Sequence, residues 1–443
     1  MAGATGKILG NESSQAAMKI GLFCPEVPGH LNPMTTLASE LSRRGHEVTM
    51  VGCQRAESIV ARANLPFYPL GTDDPLNAEL EEGFRVLGTT SGFQAMMQTG
   101  KIYSLHSQLS QKYIPAAFDT LNFDGLVVDQ VCPVPALEAD RRQLPYAVAC
   151  NALAVYWDPL IPPPPLAWSY RDDWYGRLRN EMAKHVVLAA YYWFANDRKS
   201  ADPLLLIREF NRGVVHVAQQ PDFFEYPRTF YPPNLHYTGP WHRSERDDTA
   251  VDFPWQWLDG RPLIYASMGT LQNNLSNVFQ SIIEAVKDLP MQVVLSKGGG
   301  QVDLPGQLPD NVLLVERAPQ LRLLERAKLV ITHAGLNTAL ECLAHGIPML
   351  CLPVTNDQPG VAKRVEYLGN GRCIPVRQVT TARLKQELKR ILEEDLYQAK
   401  ATQFAEALAK FDGPEVAAEL IEQALLSKQP LPNAKHIAKS TAE

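Results

Sequence analysis

One pattern constrains this chain more than any other. A short, almost wholly apolar run is followed by a Gly/Pro-rich loop, then a segment of helical spacing, then another apolar run, and the series occurs in both halves. Lys19-Ile-Gly-Leu-Phe-Cys24 is of strand length, and Pro25 to Pro33 reads as a loop. Met34 to Arg44 has helical spacing through Leu37 and Leu41, and Gly45 stands where a helix stop is expected before the run His46-Glu-Val-Thr-Met-Val51. Phe123-Asp-Gly-Leu-Val-Val-Asp129 and Pro145-Tyr-Ala-Val-Ala-Cys150 read as further strands. In the second half the runs are Pro262 to Ser267, Gln292 to Leu295, Val312 to Val315, Leu329 to Thr332 and Met349 to Pro353. A helix is expected over Val278 to Leu289, and another is capped by Thr380 and runs to about Glu394. Strands that alternate with helices imply parallel sheets covered on both faces, a doubly wound α/β architecture.

The length of 443 residues, 45% of them hydrophobic, allows two such units with full cores. The polar, mixed-charge stretch around His242 to Asp248 reads as the link between them. The expected organisation is a leader over 1–17, a first Rossmann-like domain over 18–238, a linker over 239–253, a second domain over 254–427 and a loose tail over 428–443. Asp412-Gly-Pro414 is expected to break the last helices. The 42 Lys and Arg are outnumbered by 48 Asp and Glu, so the excess basic charge of a nucleic-acid binder is missing. Seven cysteines without a CxxC pair read as buried reduced thiols of a cytoplasmic protein. The apolar run Val186 to Ala195 is about half the length that spans a bilayer. Residues 151–200 are dense in aromatics, with Tyr156, Trp157, Trp168, Tyr170, Trp174, Tyr175, Tyr191, Tyr192 and Trp193 beside the proline run Pro162 to Pro165. Such a segment fits an apolar binding surface, with Tyr156, Trp157 and Trp168 as candidates, and fits a helix packed on the sheet equally well.

No GxxxxGK[ST] loop, no GxGxxG after the first strand and no HExxH occurs, so the chain offers neither a P-loop, nor a dinucleotide fingerprint, nor a zinc-protease site. In open α/β sheets ligands bind at the carboxyl ends of the strands, so attention falls on residues there. His30, in Pro28-Gly-His-Leu-Asn-Pro33, follows the first strand. Alone it reads better as a helix-cap residue than as a base. Asp129 ends another strand of that sheet, and a carboxylate on one ring nitrogen would orient the imidazole as a general base. The nearby helix start is expected to keep the ring neutral. Asp124 is a rival acid at the other end of the strand. In the second half, Thr332-His-Ala-Gly-Leu-Asn-Thr338 runs from strand into helix, where backbone N–H groups can meet an anion, with His333, Asn337 and Thr338 as side-chain donors. Ser267-Met-Gly-Thr270 is a second turn of this kind, and Asp357-Gln358 suits sugar hydroxyls.

From Arg317 to Gln358 the chain carries Arg317-Ala-Pro-Gln320, the turn 332–338, Glu341, Gly346-Ile-Pro348 and Asp357-Gln358 in order. This series resembles the donor signature of the UDP-sugar glycosyltransferases of family one, with its GT-B fold. Within that family, Ala266 to Gln272 and Asp357 to Ala362 look most like bacterial zeaxanthin glucosyltransferases. The resemblance implies two Rossmann-like domains facing across a cleft. It implies His30 as base with Asp129 as its partner. His333, Gly335 and the N–H groups around Asn337 and Thr338 would hold the diphosphate, with Ser267 and Thr270 adding contacts. Glu341 would meet the ribose, Arg317, Ala318 and Gln320 the uracil and ribose, and Asp357 and Gln358 the sugar. Arg317 and Leu336 depart from the tryptophans common at their positions in the family.

The expected reaction is an inverting transfer of glucose from UDP-glucose to a hydrophobic alcohol, possessing neither metal nor other cofactor. Peripheral contact with a bilayer is expected if that alcohol is a carotenoid. The alternatives are a dTDP-sugar transferase acting on flavonoid, phenolic or polyketide acceptors, a UDP-sugar epimerase, and a non-catalytic apolar-ligand binder with a vestigial nucleotide site.

Overall fold

Parallel strands covered on both faces must be apolar throughout, and the runs that meet this condition are the strands. The computed structural model describes residues 17–90, 92–194, 212–242, 251–269, 275–298, 302, 304 and 306–433. Almost all of the expected leader, most of the linker and the end of the tail lie outside these residues.

The first sheet holds β1 (Lys19–Phe23), β2 (Glu47–Gly52), β3 (Phe67–Pro69), β4 (Gly125–Asp129), β5 (Tyr146–Cys150), β6 (Val215–Ala218) and β7 (Leu235–Tyr237). Its order is β3-β2-β1-β4-β5-β6-β7, and every pair is parallel. The helices of this half are α1 (Pro28–Arg43), α2 (Glu57–Arg62), α3 (Pro75–Leu87), α4 (Gly92–Leu121), α5 (Pro133–Arg142) and α6 (Trp174–Phe194). Leu31, Met34, Leu37 and Leu41 of α1 bury one face of the sheet. Ile114, Ala117 and Phe118 of α4, with Ala136 and Ala139 of α5, bury the other.

The second sheet holds β8 (Leu263–Ser267), β9 (Gln292–Ser296), β10 (Val312–Val315), β11 (Ala327–Thr332), β12 (Met349–Cys351) and β13 (Gly371–Cys373), in the order β10-β9-β8-β11-β12-β13. Its helices are α7 (Ser276–Val286), α8 (Gln320–Leu324), α9 (Leu336–Ala344), α10 (Gln358–Leu368), α11 (Thr381–Glu393), α12 (Asp395–Leu408) and α13 (Gly413–Ser427). Thr380 caps α11 through the Arg383 N–H, as the sequence implies. The break expected at Asp412-Gly-Pro414 falls between α12, which ends at Leu408, and α13, which Asp412 caps through the Glu415 N–H.

In each sheet the chain crosses over between two neighbouring strands, β1 and β4 in the first and β8 and β11 in the second. At these points the loops leave in opposite directions and open a crevice at the carboxyl ends. The fold is therefore two Rossmann-like units, each with one built-in crevice.

Two local outcomes differ from the sequence reading. The stretch expected as a loop up to Pro33 is largely helix, because α1 starts at Pro28 and carries Pro33 inside it. Proline at N1 needs no N–H partner, so it starts the helix rather than preventing it. The second outcome concerns α13, which follows the second unit in sequence but packs on the first. Ala417, Ala418, Ile421, Ala424 and Leu425 join the core with α1 and the sheet, and Glu422 accepts from Arg44 at 2.8 and 2.5 Å. Because Ile421 is fully buried there, Ile421→Ala is expected to cost about 2–5 kcal/mol in urea unfolding. A cost well under 1 kcal/mol would mean that α13 is not part of this core.

Candidate active site

The two crevices share one cleft of about 1970 Å³. A pocket for a single small ligand is roughly 300–1,000 Å³, so this space fits two substrates side by side. His30, in the first turn of α1, lines it from one side, and the turn between β11 and α9 lines it from the other.

On the first side, β4 ends at Asp129 beside β1, so the carboxylate reaches the helix that follows β1. His30 Nδ1 and Asp129 Oδ2 are 2.7 Å apart. Asp129 is buried and held in place by Asn151 Nδ2 at 2.6 Å and the Val131 N–H at 2.9 Å. His30 Nε2 makes no hydrogen bond to a described residue, and the side chain keeps 15% exposure, enough to meet a substrate. Asp124, the rival acid, sits at the opposite end of the strand and accepts from the Lys19 N–H at 2.8 Å. Asn151 was not singled out from the sequence, although it lies one residue past β5 and the strand-end argument used for Asp129 applies to it.

The carboxylate, rather than the helix start, decides how the ring titrates. Burial does push its pKa down, but the Asp129 charge and hydrogen bond, with the Asp357 charge, outweigh this, and the pKa lies above the ordinary imidazole value.

On the second side, α9 starts after Gly335, and its first N–H groups face the cleft. Ala334 holds a left-handed φ of 64°, a conformation costly for a residue with a Cβ, which turns the chain sharply between β11 and α9. His333 is packed against two glycines. A Cβ on Gly269 would fall 2.7 Å from the ring and one on Gly335 would fall 2.6 Å from Nε2. Burial pushes this histidine down to about 4, so it is a neutral donor, and its Nδ1 has no partner among the described residues. A buried polar atom without a partner beside an open helix start fits an anionic ligand.

The remaining candidates fall into place around this turn. Gln320 accepts from the Tyr265 hydroxyl at 3.2 Å and donates to Glu341 Oε2 at 2.5 Å and Thr338 Oγ1 at 3.3 Å. This network fixes Glu341 and Thr338 at the cleft, and its member Tyr265 was not foreseen. Ser267 Oγ accepts from the Gly269 N–H at 3.3 Å. Arg317, exposed, and Ala318 line the cleft as well. Asp357 accepts from the Leu153 N–H at 3.3 Å, and burial pushes its carboxyl up. Gln358 Oε1 accepts from the Val354 and Thr355 N–H groups, so only its amide nitrogen is left for a ligand. Thr270 lies outside the described residues.

Asn337 does more than line the cleft. Its Nδ2 donates to the Gly29 carbonyl at 3.0 Å, and its Oδ1 accepts from Gln219 at 2.9 Å, both in the first unit. Pro33 has no N–H to give the Gly29 carbonyl, which α1 would otherwise use internally. A proline read as a loop residue thus exposes the acceptor that the second unit binds.

Of the three aromatics expected at the acceptor side, Trp157 lines the cleft with its indole nitrogen unpartnered among the described residues. Tyr156 instead turns inward, bonds His216 and packs on Cys150, Ala154, Ala218 and Leu235. Trp168 lies under the Arg179 guanidinium, away from the cleft. Their spacing gave no sign of which way each ring turns. The apolar wall comes from Leu80 and Phe84 of α3, Ile102 of α4, Leu153, Val155 and Trp157.

Two Rossmann-like units that share one cleft are the architecture of the GT-B glycosyltransferases. Residues 197–408 match the family model "UDP-glucoronosyl and UDP-glucosyl transferase". The chain is 27% identical over 422 residues to the zeaxanthin glucosyltransferase of Pantoea ananas, covering 92% of this chain and 96% of that protein. It is 29% identical over 428 residues to the zeaxanthin glucosyltransferase of Pseudescherichia vulneris, covering 92% and 98%. The crystal structure of the kitacinnamycin glycosyltransferase superposes with a TM-score of 0.70 at 22% identity, covering 92% of this chain and 99% of that one. The family model spans just under half of the chain, and over most of its length the chain is similar to glycosyltransferases of this kind.

A base at His30 would have to be neutral to accept a proton, so activity should be lost as pH falls through its pKa. The acid limb of kcat/KM is expected above 6.5, the ordinary imidazole value. Asp129→Asn removes most of what raises that pKa and leaves the burial that lowers it, with only the Asp357 charge opposing. The limb should move to lower pH, with the rate down roughly 10²–10⁴-fold. An unmoved limb would separate Asp129 from the titration.

Proposed function

We propose that the protein transfers glucose from UDP-glucose to the hydroxyl of a hydrophobic acceptor of the carotenoid class, such as zeaxanthin, with inversion at the anomeric carbon. The observation that supports this most is the placing of the His30–Asp129 pair and the α9 start on opposite walls of one cleft. In this reading the acceptor hydroxyl enters from the apolar wall. Its oxygen forms the bond to the anomeric carbon as the bond to the UDP phosphate breaks. Its proton goes to His30 Nε2, and Asp129 stabilises the imidazolium. The charge on UDP is met by the N–H groups after Gly335 and by neutral His333. Asp357 and Gln358 hold the sugar, Glu341 the ribose, and Arg317, Ala318 and Gln320 the base side. A single displacement of this kind needs no metal.

The test is product mass after incubation with UDP-glucose or dTDP-glucose, chelator present, and zeaxanthin or a phenol. A hexose adduct on zeaxanthin from UDP-glucose is expected. His30→Ala should cut the rate roughly 10²–10⁴-fold while UDP affinity stays. Adducts on phenols alone would remove the carotenoid acceptor, and a preference for dTDP-glucose would remove UDP.

A carotenoid resides in lipid, and the surface beside the cleft suits contact with it. Along α6, Trp174 (74%), Leu178 (52%), Met182 (63%) and Val186 (68%) are exposed at every fourth position, next to Arg177 and Lys184. The adjacent Val187 lines the cleft. No helix among the described residues is long and apolar enough to cross a membrane. We propose that this cytoplasmic enzyme rests α6 on a bilayer surface. In flotation with anionic liposomes the protein should rise with the lipid, and Leu178→Asp with Met182→Asp should return it to the bottom fraction. Wild-type protein left at the bottom would contradict the proposal.

A further inference from the structure

The first unit carries a second imidazole–carboxylate pair on the same cleft. Glu26 lies in the loop between β1 and α1, four residues before His30, and is 3% exposed. Its Oε1 accepts from the Cys53 N–H at 2.8 Å and lies 3.2 Å from His106 Nε2. Gly52, at the end of β2, lets the carboxylate seat there, since a Cβ would fall 2.9 Å from Oε1. His106 sits in the middle of α4, which crosses above the strand ends, and it lines the cleft. Its Nδ1 makes no hydrogen bond to a described residue.

Glu26, Cys53 and His106 place a carboxylate, a thiol and an imidazole within 4.8 Å of one another. Burial and the Glu26 charge push the Cys53 thiol up, so the sulfur stays protonated, and the working pair is carboxylate and imidazole. Burial pushes His106 down, but Glu26 and the more distant Asp129 outweigh it, so the ring titrates above its ordinary value. Asp129 therefore acts on both histidines. The two rings are set in opposite senses. His30 gives Nδ1 to its carboxylate and turns Nε2 to the substrate, while His106 gives Nε2 and leaves Nδ1.

With Nε2 held by Glu26, the Nδ1 left on the cleft side takes an oxygen, as donor when the ring is charged and as acceptor from a hydroxyl when it is not. We propose that His106, seated by Glu26, is an acceptor-positioning residue whose Nδ1 binds a second oxygen of the acceptor, a hydroxyl on the carbon beside the hydroxyl that receives the sugar. This deepens the proposed function and rests on its reading of the first unit as the acceptor side. The substrate class becomes narrower: ring alcohols with a vicinal oxygen are preferred over those without one, and zeaxanthin, whose ring hydroxyl stands between two CH2 groups, becomes a weaker acceptor than its vicinally oxygenated relatives.

The probes are 2-naphthol and 2,3-dihydroxynaphthalene, which differ by that one oxygen and report binding through their own fluorescence. The intact protein is expected to bind the diol roughly tenfold more tightly, the ratio one hydrogen bond gives. His106→Phe and Glu26→Gln should bring the two probes within about twofold of each other while 2-naphthol binding stays, which also shows that the variants fold. In transfer assays the loss should fall on KM for the diol, with kcat for 2-naphthol kept. Equal binding of the probes by wild-type protein, or a ratio that survives both substitutions, overturns the inference and leaves the glycosyltransferase reading intact. Failure of wild-type protein to bind either probe while it still glucosylates zeaxanthin overturns the inference alone, and absence of transfer to every acceptor overturns the reading beneath it.

Discussion

The carbonyl of Gly29 is the point on which the site depends. Pro33 cannot donate to it, so the helix that carries His30 leaves one acceptor open in its first turn. Asn337, in the first turn of α9, fills that acceptor from the other unit at 3.0 Å. One hydrogen bond thus joins the helix turn that carries His30 to the turn that follows His333. Gln219 holds the other end of the same amide, so Asn337 is fixed in orientation as well as position. Farther out, Arg364 of α10 meets Glu225 of the first unit in a fully buried ion pair. Burial would raise the Glu225 carboxyl, but Arg364 and Arg228 hold it at about 2, so it stays charged and the pair stays made. Separating the units would strand that charge in an apolar setting, a large cost.

With the units held, the chemistry follows from opposite treatments of two histidines. His30 is buried beside a carboxylate and titrates above its ordinary value. His333 is buried between glycines without one and is pushed down to about 4. In the proposed reaction the first gains the acceptor's proton and the second meets the phosphate while neutral. Environments that push like groups apart in this way mark the division of roles in acid–base sites. Each histidine follows the first strand after or before a crossover point, so the sheet order itself sets them facing one cleft.

Much of this was legible in the sequence. β1, β4, β8 and β11 are buried on both faces, so they read as plain apolar runs, and the residues at their ends led to His30, Asp129, Ser267 and His333. The short strands β6, β7 and β13 were not read, because His216, His236 and Arg372 interrupt three- or four-residue runs. The turn of Tyr156 away from the cleft depends on His216, a partner sixty residues away that no local pattern supplies. The role of Asn337 in joining the units depends on a proline more than three hundred residues earlier, and Pro33 by itself reads as a helix breaker. His106 lies on α4, a helix absent from the sequence reading, and it acquires meaning only beside Glu26 and Gly52. Local sequence carries strand identity and strand-end chemistry, whereas partners brought from distant segments appear only with the fold.

The central claim is that one base and one leaving group face each other across the cleft, with no second nucleophile between them. The anomeric configuration of the product tests it most directly. UDP-glucose is α-linked, so a single displacement inverts the centre. The proton spectrum of the purified glucoside should show the large diaxial coupling of a β-anomer. An α-anomer would contradict the account, because retention requires a second displacement or a different face of attack, and the His30–Asp129 pair would then not be the base of this reaction.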